Sequence, residues 1–396
     1  MNGGLDDLAQ LTPDLASLGW DEELDAWAEA AELELGTEDD AADGDGMGDE
    51  AADRLIRGRL AQVTRGYSVI FTGGDALLAA SGSARFVSDD VPATGDFVLV
   101  SHDPEDGPVI AAIAPRRTEL QRRASGRVPE PQVLAANADE VFVMHGLDRE
   151  LNLRRLERQL VVAWDSGATP VVVLTKADTV DDPAAVVERA RAVAPEVDVL
   201  AVSIISGDDL DAVAGHVPPG RSVALLGPSG IGKSSLVNAL SAGRVQRIGE
   251  VRAADRRGRH TTVTRDLIPL PDRGLVIDAP GVREIGLWQA YDGLKKAFPE
   301  ITAAAATCRF TDCDHQAEPD CGVRASLADG AIAPRRLEHW HELGAELALQ
   351  EDQLEEFAWR AESRDRAAAE DERDATRSSR RSRTRRSRGR GRRRGR

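Results

Sequence analysis

A glycine-rich segment between an apolar strand and a helix constrains the fold of this 396-residue chain more than any other feature. Residues Gly227–Ser234 read G-P-S-G-I-G-K-S and match the phosphate-loop pattern G-x-x-x-x-G-K-[ST]. The predicted strand Val223–Leu226 precedes them, and the predicted helix Ser234–Ser241 follows. In this setting, backbone N–H groups at a helix N-terminus surround phosphate groups. The segment therefore predicts a nucleotide-binding α/β domain, and its flanks disfavour the alternative of a chance glycine-rich turn.

The residues of this loop have distinct expected roles. The Lys233 ammonium is expected to contact the β- and γ-phosphates, and the Ser234 hydroxyl is expected to ligate Mg²⁺. The predicted nucleotide contacts in the loop are Gly227, Pro228, Ser229, Gly230, Ile231, Gly232, Lys233, Ser234 and Ser235. Mg²⁺ that binds with the nucleotide is therefore an expected cofactor.

Two short downstream motifs fit a site that hydrolyses a nucleotide. Asp278-Ala-Pro-Gly281 ends an apolar strand, where a carboxylate can hold Mg²⁺ through water and the Gly281 N–H can contact the γ-phosphate. The polar segment Gly258–Thr262 lies between it and the phosphate loop and suits a switch loop with Thr262 on Mg²⁺. Either motif alone is weak evidence, but their order and spacing together predict one site.

A base-recognition motif lies upstream of the phosphate loop. It follows the predicted strand Thr169–Leu174, resembles the guanine motif Asn-Lys-x-Asp, and consists of Thr175, Lys176, Ala177 and Asp178. The Asp178 carboxylate can accept two hydrogen bonds from the N1–H and N2–H₂ edge of guanine, which adenine cannot supply. The Lys176 stem can cover the ring, and residues 201–207 are expected to close over the base. GTP is thus favoured over ATP, although the phosphate loop alone does not choose a base.

All three cysteines of the chain lie within fourteen residues. With one histidine they form a candidate ligand set of Cys308, Cys313, His315 and Cys321. Three thiolates and one imidazole fit a closed tetrahedral Zn²⁺ site of the structural type. Ordinary free thiols are the alternative, disfavoured because every cysteine belongs to the cluster. One structural zinc ion is therefore predicted, in a small module with little core of its own.

Short β-like segments precede the nucleotide-binding region. They are Gly58–Val63, Tyr67–Thr72, Ala76–Ala80, Asp96–Val100 and Val109–Ile113. Five such strands in about sixty residues predict an antiparallel OB-type barrel, a fold that often binds nucleic acid. An SH3-like or other small barrel is the alternative. After residue 137, apolar strands alternate with helical stretches such as Asn152–Ser166 and Ala184–Val193, which predicts a parallel sheet with helices on both faces.

Charge is strongly segregated along the chain, whose net charge is −18. Residues 1–53 carry 18 acidic side chains and no lysine or arginine, whereas residues 377–396 carry 12 arginines and no acid. The first segment predicts a disordered acidic arm, with a short amphipathic helix around Trp20–Leu35 as the alternative. The second predicts a disordered tail that contacts RNA phosphates. One hypothesis is that the arm folds back on the tail and suppresses non-specific RNA binding.

The order of the motifs, with base recognition before the phosphate loop, resembles the circularly permuted GTPases. Over about residues 55–345 the chain is similar to the bacterial ribosome small-subunit-dependent GTPases, which are late assembly factors of that subunit. The similarity includes Arg116-Arg117, Asn137-Ala-Asp139, the GTPase motifs, Phe298-Pro-Glu300-Ile and the cysteine cluster. It implies an OB barrel, a permuted GTPase domain and a zinc domain. It also implies that His260 positions the attacking water, because Val282 stands where classical GTPases carry a glutamine.

The resemblance further implies a function and its partners. The expected activity is hydrolysis of GTP to GDP and phosphate, with His260 and Lys233 as catalytic residues. The expected partners are the 30S subunit and its 16S rRNA. The alternative is a nucleotide-gated RNA-binding module with negligible hydrolysis. Thr175 replaces the usual asparagine, whose amide braces the nucleotide loops in the family. Weaker GTP binding is therefore expected, with the guanine preference retained because Asp178 carries the discrimination.

The predicted fold class is multidomain α/β. The predicted parts are an acidic disordered arm (1–53), an OB-type barrel (54–118), a permuted GTPase domain (130–283), a mostly helical zinc-binding domain (284–370) and an arginine-rich disordered tail (371–396). No apolar run approaches the ~20 residues of a membrane helix, and the N-terminus has no signal-peptide pattern. No membrane contact is therefore expected. Because all three cysteines can belong to one metal site, a reducing cytoplasm is expected, and the protein is expected to be a monomer.

Overall fold

The computed structural model describes residues 13–39, 55–64, 66–80, 91–103, 107–123, 131–241, 265–278, 286–357 and 359–360. Several predicted features lie outside the described residues. These are His260 and Thr262 in the switch segment, Gly281, Val282 and the arginine-rich tail 371–396.

Five strands near the N-terminus close on themselves. They are β1 (Ile56–Val63), β2 (Tyr67–Phe71), β3 (Ala76–Ala80), β4 (Phe97–Asp103) and β5 (Gly107–Ile113). Strand β1 pairs with β2 and β4, β2 pairs with β3, and β5 pairs with β4 and, in parallel, with β3. Pairing therefore returns to its starting strand and makes a barrel. One buried cluster takes side chains from all five strands: Leu60, Ile70, Ala79, Val98, Val100, Ile110 and Ile113.

The N-terminal segment packs on this barrel. Residues 15–19 form a turn, and helix α1 (Glu22–Asp39) follows. Trp20, Leu24 and Ala28 are buried against Phe97 and Leu99 of β4. The predicted disordered arm is therefore wrong for residues 13–39, and the alternative amphipathic helix is confirmed. The acidic composition predicts disorder here, but a few apolar residues spaced four apart suffice to pack one side of a helix against the barrel.

A hairpin not predicted from the sequence follows the barrel. Among the described strands, β6 (Glu119–Arg123) and β7 (Pro131–Ala136) pair only with each other, as a two-stranded sheet. Leu120 and Leu134 are buried in the large core that also contains the GTPase region. The chain between the predicted barrel and the predicted GTPase domain is thus partly this hairpin.

Strands β8–β13 continue the sheet beyond the barrel. They are β8 (Glu140–Gly146), β9 (Thr169–Thr175), β10 (Asp198–Val202), β11 (Ser222–Leu226), β12 (Asp266–Pro269) and β13 (Leu275–Asp278). The spatial order is β10-β9-β8-β11-β13-β12; the first five are parallel and β12 is antiparallel to β13. Strand β12 was not predicted. It also meets β1, where Gln62 donates a hydrogen bond to the Asp266 carboxylate.

Helices cover both faces of this parallel sheet. Helices α2 (Leu153–Asp165) and α3 (Pro183–Arg191) contribute to one core, and α4 (Leu210–Gly215) and α5 (Lys233–Leu240) contribute to the other. Helix α2 begins where predicted, because the Asn152 side chain accepts a hydrogen bond from the Arg155 N–H. The predicted mixed α/β architecture with parallel strands is therefore confirmed.

The buried Arg59 guanidinium joins three parts of the chain. It donates hydrogen bonds to the carbonyls of Leu18 in the N-terminal turn (2.7 Å), Gly95 before β4 (3.1 Å) and Asn137 before β8 (2.7 Å). It also donates to the Ser222 hydroxyl at the start of β11 (3.0 Å). Burial lowers the pKa of Arg59 to about 10. Its donors therefore fix the barrel relative to the nucleotide-binding sheet.

The C-terminal region is helical and packs on α2. Its helices are α6 (Tyr291–Ala297), α7 (Pro299–Ala305), α8 (Gly322–Ala328) and α9, residues 334–357. A Cβ at Gly293 would lie 2.0 Å from the Val161 carbonyl, so only glycine allows this close approach. The fully buried Glu157 of α2 contacts His339 Nδ1 at 2.6 Å and accepts a hydrogen bond from Arg336. Within the described ranges, no helix has the length and apolar character needed to cross a membrane.

Candidate nucleotide-binding site and metal centre

The phosphate loop lies between the buried strand β11 and the first turn of α5. Gly227, Gly230 and Gly232 all have positive φ, at 154°, 84° and 102°. A Cβ on Gly227 would lie 2.4 Å from the Ile231 side chain and 2.7 Å from the Met144 carbonyl. Because side chains are excluded there, the backbone can curve tightly enough to surround a phosphate group.

The Lys233 ammonium already lies within the loop. It donates hydrogen bonds to the carbonyls of Gly227 (2.7 Å) and Pro228 (2.9 Å). Burial lowers the pKa of Lys233, and the nearby Asp278 carboxylate opposes this shift. Ser234 and Ser235 are at the start of α5, and both are exposed. The ammonium is therefore in a position to exchange carbonyl partners for phosphate oxygens.

Asp278 ends β13, next to the strand that carries the phosphate loop. Its Oδ1 atom is buried and has no hydrogen-bond partner among the described residues. Burial raises the pKa of Asp278, the Lys233 ammonium lowers it, and the Asp266 carboxylate raises it further. A buried carboxylate oxygen without a partner fits a role in holding Mg²⁺, either directly or through water. The residues present here are thus compatible with a magnesium–nucleotide site.

Thr175, at the end of β9 and two strands away from β11, braces the phosphate loop. Its fully buried hydroxyl donates a hydrogen bond to the Ile231 carbonyl and lies 3.3 Å from the His145 carbonyl. From the sequence, the loss of the asparagine amide predicts the loss of a hydrogen bond that braces the nucleotide loops. The structure instead gives this role to the threonine hydroxyl, which is short enough to fit between β8 and the loop.

Replacing Thr175 by valine tests this brace. Valine keeps the shape but leaves the Ile231 carbonyl without its donor, which costs roughly 1–2 kcal/mol. We expect GDP to bind about 5- to 30-fold more weakly in a titration with a fluorescent guanine nucleotide. Thr175→Ser retains the hydroxyl and should bind nearly as tightly as the wild type. Equal affinities of the valine and serine variants would contradict the brace.

The other residues of the base motif lie at the edge of the sheet that carries the phosphate loop. Lys176 has a positive φ of 59°, and its ammonium donates to Asp148 Oδ2 (2.8 Å) and to the Gly230 carbonyl (3.0 Å). Asp178 is exposed, and its Oδ1 accepts a hydrogen bond from the buried Ser203 hydroxyl at 2.6 Å. This hydrogen bond fixes the orientation of the carboxylate just after β9, at the carboxyl end of the sheet that also carries the phosphate loop.

The structure brings most of the predicted nucleotide contacts together. The phosphate loop, residues 175–178, Asp278 and the loop after β10 all lie at the carboxyl ends of parallel strands, where open α/β sheets bind ligands. Sequence reasoning missed Asp148, which pairs with Lys176. Its position just after β8, at that same edge, is the signal that could have identified it. His260, Thr262 and Gly281 cannot be placed because they lie outside the described residues.

The predicted zinc ligands converge in the C-terminal region. The ligand atoms of Cys308, Cys313, His315 and Cys321 all lie within 4.8 Å of one another. Cys308 Sγ is 3.8 Å from Cys321 Sγ, and His315 Nδ1 lies 3.6 and 3.5 Å from these two sulfurs. Tetrahedral zinc, with Zn–S of ~2.3 Å and Zn–N of ~2.0 Å, requires separations close to these. The donor set therefore fits a metal ion of the zinc type.

Comparisons with known proteins agree with this geometry. The family described as RsgA GTPase matches residues 113–288. The small ribosomal subunit biogenesis GTPase RsgA of Methanosarcina acetivorans is 43% identical over 288 residues, which are 72% of this chain and 78% of the relative. This chain belongs to the RsgA GTPase family. The RsgA of Streptomyces coelicolor is 42% identical over 337 residues, covering 83% of this chain and 85% of the relative.

Two solved structures share the fold. YjeQ from Thermotoga maritima matches with a TM-score of 0.57 and 24% identity, over 74% of this chain and 99% of that one. YloQ, described as a circularly permuted GTPase, matches with a TM-score of 0.54 and 20% identity, over 78% of this chain and 99% of that one. Membership of the RsgA family makes this chain a GTP-hydrolysing enzyme. The alternatives of an ATPase and of a binding module without hydrolysis are therefore not favoured.

Proposed function

We propose that this RsgA-family chain is a cytoplasmic, monomeric GTPase that acts in late maturation of the 30S ribosomal subunit and binds 16S rRNA. The observation that carries the proposal is the Asp178 carboxylate, which Ser203 holds at the same sheet edge as the phosphate loop that Thr175 braces. The relatives named as small ribosomal subunit biogenesis GTPases support the ribosomal partner.

Each residue then has a defined task in hydrolysis. Asp178 reads the guanine edge, and Lys233 contacts the β- and γ-phosphates. Bound Mg²⁺ neutralises charge that develops on the phosphate oxygens. Ser234 and Thr262 are its proposed ligands, and Asp278 supports it. His260 orients a water molecule for attack on the γ-phosphorus, whose bond to the β–γ bridging oxygen breaks to give GDP and phosphate. The Gly281 N–H contacts the γ-phosphate.

The other domains would provide the ribosomal contacts. The barrel has the strand order 1-2-3-5-4 with β3 and β5 parallel, which supports an OB-type fold, and such folds bind oligonucleotides. The cysteine cluster would hold one structural zinc ion in the C-terminal module. The tail would add affinity without sequence preference, because its arginines contact phosphates.

The decisive measurement is phosphate release from GTP and from ATP, with and without purified small ribosomal subunits. We expect release from GTP only, strongly stimulated by the subunit. Stimulation with ATP of the same size would contradict guanine recognition by Asp178. Absence of stimulation with either nucleotide would contradict the ribosomal partner.

His260→Ala separates hydrolysis from binding. We expect subunit-stimulated turnover to fall by roughly 10²–10³-fold, because a positioned water-orienting group is lost. Affinity for a non-hydrolysable GTP analogue should change little. His216→Ala serves as the control. His216 lies in the same domain but outside the motifs, and its Nδ1 is 3.0 Å from Glu140 Oε2. Retained turnover in His260→Ala would assign the catalytic role elsewhere.

A further inference from the structure

The outer side of strands β1 and β4 carries a group of arginines and an aromatic ring. Arg57 pairs in register with Leu99, and Arg59 pairs with Phe97. Because side chains alternate along a strand, these four lie on the side opposite Val98 and Leu60, which belong to the barrel interior. Arg117, just after the barrel, lies beside the same N-terminal segment. We call Arg57, Arg59, Phe97, Leu99 and Arg117 the covered face.

Acidic side chains of the N-terminal segment pair with two of the three arginines of the covered face. Arg57 pairs with Asp25 at 2.5 Å and lies 3.7 Å from Glu32. Arg117 pairs with Asp21 at 2.7 Å and with Glu23 at 3.0 Å. These four carboxylates come from one segment, which carries no basic residue between residues 13 and 39.

The same segment covers the aromatic ring. Trp20 packs edge-on against Phe97, with ring centroids 5.8 Å apart and an interplanar angle of 86°. The Arg59 guanidinium lies 4.6 Å from the Phe97 centroid, and its Nη1 donates to the Leu18 carbonyl. Phe97 is consequently only 3% exposed. The segment therefore supplies an edge contact to the Phe97 ring and the acceptor for one donor of Arg59.

Arginines around an aromatic ring are the groups that bind single-stranded RNA. Guanidinium groups bind phosphates, and a phenyl ring stacks on any base. We propose that the covered face is an RNA-binding surface and that residues 13–39 occupy it as an internal competitor. Their carboxylates take the positions of phosphates, and Trp20 takes the position of a base. RNA binding at this face requires the segment to leave.

The contacts between residues 13–39 and the covered face are weak enough for RNA to displace the segment. The ion pairs are partly exposed: Arg117 and Asp21 retain 38% and 48% of their side-chain surface, and pairs of this kind are weak and sensitive to salt. Apolar burial is concentrated at its beginning, while Leu33 in the second half of α1 is 73% exposed. An RNA strand offers several phosphates and bases at once, so it can replace these contacts together.

The test compares two double variants of the full chain with equal charge. Asp21→Asn with Asp25→Asn weakens the pairs to Arg117 and Arg57, and the introduced amide at position 21 can still cap α1 as Asp21 does for Leu24 N–H. Glu22→Gln with Glu29→Gln is the control. These two are exposed on the same helix and have no ion pair to an arginine in the described part of the chain. Binding is followed by fluorescence anisotropy of a labelled polyuridine of about 20 nucleotides, longer than the ~4–16 nucleotides that one OB fold covers.

We expect the Asp21/Asp25 variant to bind roughly five-fold more tightly than the wild type at low salt, and the control to change less than about two-fold. The arginine-rich tail is present in all three proteins, so its contribution cancels. RNA should also increase hydrogen exchange of the amides in residues 13–39 of the wild type. Equal affinity of the two variants, or unchanged exchange in that segment at saturating RNA, overturns the proposal.

Adding Arg57→Gln to the Asp21/Asp25 variant checks the phosphate contact. The gain in affinity should shrink, and the slope of log K against log salt should decrease by about 0.7, the value for one phosphate contact on a single strand. An unchanged slope would mean that the gain does not arise at the covered face. The proposal rests on the proposed function only in taking RNA as the partner. These assays use no nucleotide and no ribosome, so failure here leaves subunit-stimulated GTP hydrolysis to its own test.

Discussion

Asp178→Asn is expected to change the base preference from guanine to xanthine. An asparagine amide presents one acceptor oxygen and one donor nitrogen where the carboxylate presents two acceptor oxygens, so it can no longer accept both the N1–H and N2–H₂ donors of guanine. Two hydrogen bonds to a charged group are worth roughly 3–6 kcal/mol together, so GTP should bind about 10²- to 10⁴-fold more weakly. Xanthine carries a carbonyl in place of the 2-amino group. This carbonyl can accept a hydrogen bond from the asparagine NH₂ while N1–H donates to the amide oxygen. Ser203 can still donate to the oxygen of the introduced amide, as it does to the Asp178 carboxylate.

Single-turnover phosphate release with GTP and with XTP measures this switch. Asp181→Asn is the matched control, because this exposed carboxylate lies three residues further along the same loop. It should keep the preference for GTP. If Asp178→Asn also kept that preference, the base would be read by another group, and the assignment of residues 175–178 would have to be abandoned.

Much of the fold could be predicted where local pattern and burial agree. Strand β3 has the predicted boundaries because it is bounded by turn residues, and β11 begins only one residue before the predicted Val223 because residues 223–226 are a buried apolar run. Helix α2 carries its own start signal in Asn152. Such elements need little information from distant residues, so the sequence is sufficient for them.

The elements that sequence reasoning missed depend on distant partners. Strand β6 reads E-L-Q-R-R and has little apolar character, so only its pairing with β7 makes it a strand. Helix α1 is acidic along much of its length, and several of its carboxylates are paired because Arg57 and Arg117 lie on the barrel. Composition predicted disorder there, since no local pattern reveals a partner nearly a hundred residues away.

The residues of the candidate site also differ in whether the sequence alone could predict them. The motif residues of the phosphate loop and of the base motif could be found because their spacing is local. The supporting contacts depend on the fold: Asp148 reaches Lys176 from the segment just after β8, and the hydroxyl of Thr175 replaces an amide only because Ile231 lies within reach. Motifs therefore predict which residues meet the nucleotide, whereas the fold determines what positions them.

Removing the metal cluster is expected to affect the C-terminal module and spare nucleotide binding. Cys321→Ser replaces a buried thiol that also accepts a hydrogen bond from the Arg324 N–H at the start of α8. Zinc content per chain should fall to near zero, because three remaining ligands leave an open site of much lower affinity. Structural zinc sites contribute on the order of 10 kcal/mol in small modules. We therefore expect α7 and α8 to lose hydrogen-exchange protection.

The nucleotide site lies on the sheet and takes no side chain from this cluster. GDP affinity should consequently stay within about two-fold of the wild type, while subunit-stimulated turnover should fall at least about ten-fold if the module contacts the ribosome. Asp312→Asn changes an exposed carboxylate between the first two cysteines and should retain zinc, exchange protection and turnover. A Cys321→Ser protein that kept full stimulation would show that the module is not needed for the ribosomal contact. Loss of GDP binding would instead mean that its helices support the GTPase fold through α2, where Glu157 meets Arg336 and His339.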